Sequence, residues 1–422
     1  MSARDNILDR IDWLTVVLYL ILVFWGWFNI YAAVYDEEIK ASMFSLSTNS
    51  GKQLIWIGSS FLLILGVMLL DYKFYDSFGF ILYGVMIVLL ISVLGMGTMV
   101  AGSKSWFQLG SFRLQPAEFT KFATALAIAK FMSPLNVKLD NTKSQVIAFG
   151  LISVPILLII LQGDLGSAMV FGSFVLVYYR EGLSPWLFVV GLGLIFLFIV
   201  SLLVDQTIIF IVTGVIALII IGLSFKNVKR IFLVVVVAIA VVGMVKSVDF
   251  IMTEVLKPHQ RNRVVSLFNP EADPLGVGWN VTQSKIAIGS GGVFGKGFLN
   301  GTQTKFDFVP EQSTDFIFCT LGEEQGWMGS LILISLFVTL LIRISIIAER
   351  QKLRFARVYG YGVLSVIFFH FMVNIAMTIG LFPVIGIPLP FFSYGGSSLW
   401  SFTILLFILL KLDAHRMQVL TH

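Results

Sequence analysis

The chain has 422 residues, 57% of them hydrophobic and 13% charged, with a mean hydropathy of +0.92 and a formal charge of +5. Soluble domains carry about 25% charged residues, so this composition excludes an ordinary soluble globule and indicates an integral membrane protein. The single cysteine, Cys319, excludes an internal disulfide, and His259, His370, His415 and His422 are too scattered for a metal-ligand spacing, which removes thiol redox and zinc chemistry.

A helix needs roughly 20 apolar residues to cross hydrocarbon. Such stretches are predicted at residues 12–34, 53–71, 77–97, 117–133, 146–162, 166–182, 185–204, 207–224, 230–248, 315–343, 357–381 and 397–412. The fold class is therefore all-α: a polytopic membrane protein with about 12 transmembrane helices. The first stretch, beginning at Trp13, is too long for a signal-peptide core and lacks a small-residue cleavage site, so it is expected to remain as an anchor. With the N-terminus inside, the even-numbered gaps collect Lys73, Lys138, Lys143, Arg180, Lys226, Lys229, Arg350, Lys352, Arg354 and Arg357 on the cytoplasmic side. This is the positive-inside pattern, and it accounts for the basic balance without nucleic acid. The same threading sends Asp36, Glu37, Glu38 and the whole of residues 249–314 outside.

Polar groups inside the spans are costly enough to be functional candidates. In "LQPAEFTKFATALAIAK", Pro116 suits a helix start, and Glu118 and Lys121 stand three apart on one face, close enough to pair. Complementing the helix dipole explains Glu118 equally well. In "LQGDLGSA", Asp164 falls in a tight turn between two helices, where an exposed turn aspartate is an equally good explanation. Residues 249–314 are too long and too rich in apolar anchors, Trp279 and Phe294 among them, for a bare linker. They read as a folded cap on the outer face, opened by an interfacial helix from Glu254 to Phe268. Within the cap, Arg261 and Arg263 precede Glu271 and Asp273, a mixture that suits loss of an anionic group and deprotonation of a hydroxyl. Asp273 precedes Pro274, so turn initiation is the stronger local explanation for it. "GSGGVFGKG", Gly289 to Gly297, departs from a nucleotide loop at both ends but offers backbone amides and Lys296 to a pyrophosphate. His370 and Asn374 share a helix face, and a hydrogen bond to a neighbouring helix is the expected role of both. Finally, "LFPVIGIPLPFFSYGGSSL" breaks helical structure near membrane depth, which is tolerated only where backbone packs in protein or lines a cavity.

The run from Arg261 to Gly329, with "LQPAEFTKF", "QGDLGSA" and "FPVIGIPLPFFSYGGSSL", resembles the SEDS family of bacterial cell-wall polymerases, from the first span to the last. The resemblance implies a multi-pass protein of the bacterial cytoplasmic membrane that polymerises lipid II into peptidoglycan on the exterior side. It implies Asp273, the acid before Pro-Leu-Gly, as the catalytic residue, which reverses the local reading. It further implies a substrate-binding set of Arg263, Lys296, Lys121, Glu118, Asp164, Gln283, Ser284, Glu311 and Asp315. No cofactor is required and no metal ligands are assigned, although a bound divalent cation is compatible with charge stabilisation at the leaving group. The partner implied is a class B penicillin-binding protein, a transpeptidase, within the elongation machinery.

Two departures stand out. Ser105 in "GSKSWFQLG" occupies a position where the family commonly has Arg, with Lys104 beside it, and Lys is not equivalent to Arg toward phosphate. The family also usually has ten spans, so an inserted helix pair is expected within residues 185–248 of what is otherwise one domain. The rival functions are a lipid II flippase using Glu118, Lys121 and Asp164 without bond formation, and a scaffold indifferent to Asp273.

Overall fold

The computed structural model describes residues 10–35, 42–100, 102–110, 112–224, 226–255, 261, 277–305 and 308–416. Asp273, Glu271 and Arg263 lie outside these residues, as does almost all of the expected interfacial helix after Glu254.

The helices begin where a short polar side chain precedes an apolar run. α1 (Trp13–Ala33) is capped by Asp12, which accepts from Thr15 N at 3.1 Å. α2 (Asn49–Leu69) follows Thr48, and α3 (Tyr72–Met96) follows Asp71, which accepts from Lys73 N at 2.8 Å. Three short antiparallel strands, β1 (Thr98–Val100), β2 (Ser103–Leu109) and β3 (Phe112–Leu114), then lead to α4 (Pro116–Met132). Hydropathy alone did not anticipate this small sheet, because strands of three to seven residues leave no span-length signal.

α5 (Thr142–Leu161) is followed by α6 (Leu165–Gly172) and α7 (Val175–Arg180), so the span expected at 166–182 is broken at Ser173–Phe174. α8 (Pro185–Leu203), α9 (Gln206–Leu223) and α10 (Val228–Phe250), with a π turn at Ile251–Val255, belong to a separate compact unit of residues 183–278. There Lys246 Nζ, on α10, donates to Gln206 Oε1 of α9 at 3.3 Å. α11 (Val277–Ser290), which the other unit takes up from Trp279, and the short α12 (Thr302–Lys305) are the described α-helices that begin and end within the expected cap. α13 (Ile317–Glu349), α14 (Arg354–Thr378) and α15 (Gly396–Ala414) complete the bundle. Among the described residues ten helices are long and apolar enough to cross a membrane, with α4 and the α6–α7 pair shorter.

α4 is the central helix of the larger unit. Fourteen of its 17 residues are buried, and its Ala-rich sequence permits close approach. A Cβ on Gly362 of α14 would stand 3.1 Å from the Ala125 Cβ, and one on Gly79 of α3 would stand 3.2 Å from the Leu126 carbonyl. The proline-rich segment 381–395 is buried through Val384, Ile385, Ile387, Leu389, Phe391 and Phe392, and its carbonyls press on glycines of neighbouring helices. A Cβ on Gly26 in the middle of α1 would come within 2.5 Å of Phe392 O, and one on Gly166 within 2.1 Å of Ile385 O. The irregular backbone is thus packed in protein, as its depth requires.

α13 is interrupted at Gly326, whose φ of 65° lies in the left-handed region. The freed groups are paired by the glycine-rich loop: Trp327 N and Met328 N donate to Gly292 O and Val293 O, while Lys296 N and Gly297 N donate to Glu323 O and Glu324 O. A Cβ on Gly291 would stand 2.0 Å from Gly322 O, so that glycine is required by close approach.

At the end of the bundle where α1 begins and α15 ends, buried Asp12 accepts from Arg343 Nη2 at 2.6 Å and Arg350 Nη2 at 3.0 Å. Arg350 also pairs with buried Asp413, joining α1, α13 and α15. Burial pushes the Asp12 carboxyl up, but hydrogen bonds from Arg343 and Thr15 outweigh it and hold the group at about 2, below the ordinary 3.8. A depressed carboxyl stabilises the fold above its unfolded value and loses that contribution as pH falls through its folded one. Asp12 therefore contributes about 2 kcal/mol above pH 5, roughly half of it at pH 3, and little at pH 2. Thermal unfolding of wild type and Asp12→Asn in detergent should show a gap that narrows over this range. A gap independent of pH contradicts the assignment.

Candidate active site

Glu118 lies in the first turn of α4, one turn before Lys121, and the i,i+3 spacing brings Lys121 Nζ to 2.8 Å from Glu118 Oε2. The ammonium also lies 3.0 Å from His370 Nε2 on α14 and 4.6 Å from the ring centroid of Phe402 on α15. His370 Nδ1 is 3.0 Å from the carbonyl of Pro388. A carbonyl only accepts, so Nδ1 carries the proton, leaving Nε2 to accept from the lysine. Lys121 is 1% exposed, Glu118 4% and His370 0%. The pair expected at Glu118 and Lys121 is therefore present, but sealed inside the protein.

The start of α4 is fastened on every side. Gln115 N donates to Ser397 Oγ at 3.2 Å, and Ser401 Oγ donates to Glu118 O at 2.6 Å. Gln115 Nε2 donates to Asp164 Oδ2 at 2.8 Å. Asp164 also caps α6, accepting from Ser167 N at 3.0 Å and Ser167 Oγ at 2.8 Å. The turn role and the placement beside α4 thus coexist in one side chain. Gln115 was not singled out from sequence; its place immediately before Pro116 was the available signal.

Asn374, one turn after His370, donates to Asp315 O and Ile387 O, both at 2.8 Å. The bond to a neighbouring helix expected for both is found at His370, which meets Lys121 of α4 and also a loop carbonyl. Asn374 takes two carbonyls outside the helices instead. Asp315 stands next to the proline-rich segment, where a Cβ on Gly386 would lie 3.3 Å from Asp315 Oδ2. Ser393 Oγ donates to Thr314 O at 2.6 Å and Tyr394 N to Ser313 O at 2.9 Å, so the segment before α13 is bound to that before α15. Exposed Glu311, at a positive φ of 58°, accepts from Thr314 Oγ1 at 2.9 Å. Ser284 is buried and donates to Thr378 O at 2.8 Å, a structural bond tying α11 to α14, while neighbouring Gln283 is half-buried.

The glycine-rich loop corrects one expectation. Its amides at Gly295, Lys296 and Gly297 donate to protein carbonyls, so they are not a cradle for pyrophosphate. Lys296 Nζ is held at 2.7 Å by Glu323 Oε1, and the buried Glu323 also accepts from Gln303 N and Thr304 N. Sequence reading missed Glu323, since a glutamate in an apparent span gives no sign of its partner. Lys104, expected beside Ser105 to supply charge, turns its ammonium to Gly95 O at 2.9 Å, and Ser105 is buried. The structure therefore gathers Glu118, Lys121 and Asp164 around the start of α4. Among the described residues, no group of three or more His, Cys, Asp or Glu forms a metal-ligand set.

The sequence pattern of the FtsW/RodA/SpoVE family, described as cell cycle protein, matches residues 12–208 and 203–418. Peptidoglycan glycosyltransferase MrdB of Escherichia coli strain K12 is 35% identical over 344 residues, 82% of this chain and 80% of its own. Peptidoglycan glycosyltransferase RodA of Treponema pallidum strain Nichols is 31% identical over 409 residues, 91% of this chain and 94% of its own. Among solved structures, a chain of a peptidoglycan synthase complex that coordinates polymerization and crosslinking is similar at a TM-score of 0.70 and 26% identity, over 97% of this chain and 99% of that one.

The Lys296–Glu323 pair has a measurable consequence. Lys296→Met leaves a buried carboxylate without its cation and should lower stability by about 2 kcal/mol, with part regained in Lys296→Met/Glu323→Gln. Melting temperatures in detergent check this. An unchanged melting temperature with lost activity would instead place the lysine in the chemistry.

Proposed function

Given that the chain belongs to the FtsW/RodA/SpoVE family and is a peptidoglycan glycosyltransferase, we propose that it polymerises lipid II at the outer face of the bacterial cytoplasmic membrane, with Asp273 as general base. The observation that carries the reading is the likeness to two named peptidoglycan glycosyltransferases over 82% and 91% of the chain. The charged groups at one end of the bundle, Glu118, Lys121 and Asp164, support it.

In the proposed step, the 4-hydroxyl of a GlcNAc gives its proton to the Asp273 carboxylate as its oxygen bonds to C1 of a lipid-linked MurNAc. The bond from C1 to the pyrophosphate oxygen breaks, and undecaprenyl pyrophosphate leaves with the electron pair. A single displacement inverts C1 and needs one carboxylate base, as in inverting glycoside hydrolases. Pyrophosphate needs charge stabilisation more than protonation. Lys121 and Lys296 are held by Glu118 and Glu323, so we assign direct contact with the diphosphate to Arg263. Lys121 then acts through the field and shape of the α4 start. A divalent cation on the diphosphate would add charge stabilisation of the same kind. The cap, residues 249–314, is proposed as the cover of the site, and residues 185–248 as containing an inserted helix pair.

We assign the partner as a class B penicillin-binding protein and the role as cell elongation. Support for a crosslinking partner comes from the similar chain, which belongs to a complex that coordinates polymerization and crosslinking. A flippase would need Glu118 and Lys121 to face a passage, and their exposures of 4% and 1% give that reading no support.

The test is polymerisation of purified lipid II by the protein with its transpeptidase. Asp273→Asn at equal expression should reduce polymer formation at least 100-fold, the scale of a lost general base. Full polymerisation by the variant removes Asp273 from the mechanism.

A further inference from the structure

We propose that His370 is a positioning residue for the polymerisation reaction, aiming the Lys121 ammonium by accepting its hydrogen bond on Nε2. The inference rests on the reading above, in which Lys121 belongs to the electrostatic apparatus of the site.

A lysine ammonium is a point charge on a flexible four-carbon stem, so its direction must be imposed from outside. Glu118 Oε2 supplies one anchor at 2.8 Å and His370 Nε2 a second at 3.0 Å. Phe402 closes a third side, its ring lying 4.6 Å from the ammonium and edge-on to the imidazole at 4.8 Å. The imidazole is itself fixed, because Nδ1–H donates to Pro388 O at 3.0 Å. That bond selects the tautomer in which Nε2 is a neutral acceptor. A neutral acceptor directs the ammonium without adding charge to the Glu118–Lys121 pair, whereas a second carboxylate would leave the cluster net negative.

The consequence reaches beyond the pair. Pro388 lies in the segment that Asn374 grips at Ile387 O, and Asn374 also grips Asp315 O. His370 therefore ties the direction of the lysine to the segment before α15 and to the start of α13. A residue needed only to fill space here would be apolar, since each buried polar group requires a partner.

The two roles separate by substitution. Glutamine can reproduce both bonds, its amide nitrogen donating to Pro388 O and its amide oxygen accepting from Lys121. Leucine fills the volume and makes neither. With the full-length protein, its transpeptidase and purified lipid II, His370→Leu should lower kcat about tenfold or more with KM within about threefold, and His370→Gln should stay within about threefold of wild type. In a Lys121→Met background His370→Leu should add nothing, because it acts through the lysine. The inference is overturned if His370→Leu polymerises normally, if Gln fails like Leu at an unchanged melting temperature, or if the His370 and Lys121 effects multiply. It also falls if Lys121→Met is fully active. Asp273→Asn reports separately on the general base: activity there with a defective His370→Leu would sink the base and leave the positioning role standing.

Discussion

A positive charge buried inside a membrane protein is the constraint around which this bundle is arranged. Lys121 is 1% exposed, and an ammonium taken out of water costs several kcal/mol unless close partners replace its hydration. Three helices and one loop supply them. α4 offers Glu118, α14 offers His370, α15 offers the face of Phe402, and the Pro388 carbonyl fixes the imidazole. These elements cannot drift apart without leaving a charge stranded. The charged cluster therefore acts as a register mark for the helices that pack around α4.

The same logic, applied to backbone, explains the two irregular regions. Hydrocarbon provides no partner for an open N–H or C=O, so a helix can break at depth only where protein pairs the freed groups. The break in α13 at Gly326 is paired by residues 292–297, and glycines at 291 and 295 permit the approach. The segment 381–395 is held by side chains instead: Asn374 and His370 take carbonyls, while Gln53 Oε1 accepts from Gly395 N. Both regions adjoin the segments that carry Asp315 and Lys296. Irregular backbone and site residues coincide because a straight helix cannot bring a loop and a bundle interior together.

At the opposite end, the ion pairs of Asp12 and Asp413 with Arg343 and Arg350 close the bundle between α1, α13 and α15. Here the arginine side chains are about 30% exposed, and the planar guanidinium makes forked contacts with the carboxylates. The contrast in residue type is physical. A forked, partly hydrated cation suits a joint near the membrane surface, while the single compact charge of Lys121 suits an enclosed site.

The hydropathy of the chain was sufficient to establish an all-α membrane protein and to place its long helices, though not the break at Ser173–Phe174. Apolar length is a local property and survives without knowledge of neighbours. The i,i+3 pairing of Glu118 with Lys121 was legible for the same reason, being set by helix geometry within one segment. Asp164 as a turn residue was legible too, but its bond to Gln115 was not. The partnerships of His370 with Lys121, Asn374 with Asp315 and Lys296 with Glu323 join residues 249, 59 and 27 positions apart. No periodicity encodes such distances. Local sequence determined which groups had to find partners, since burial makes an unpaired polar group costly. Only the tertiary structure decided which partner each one found, because that choice depends on which helix faces pack together.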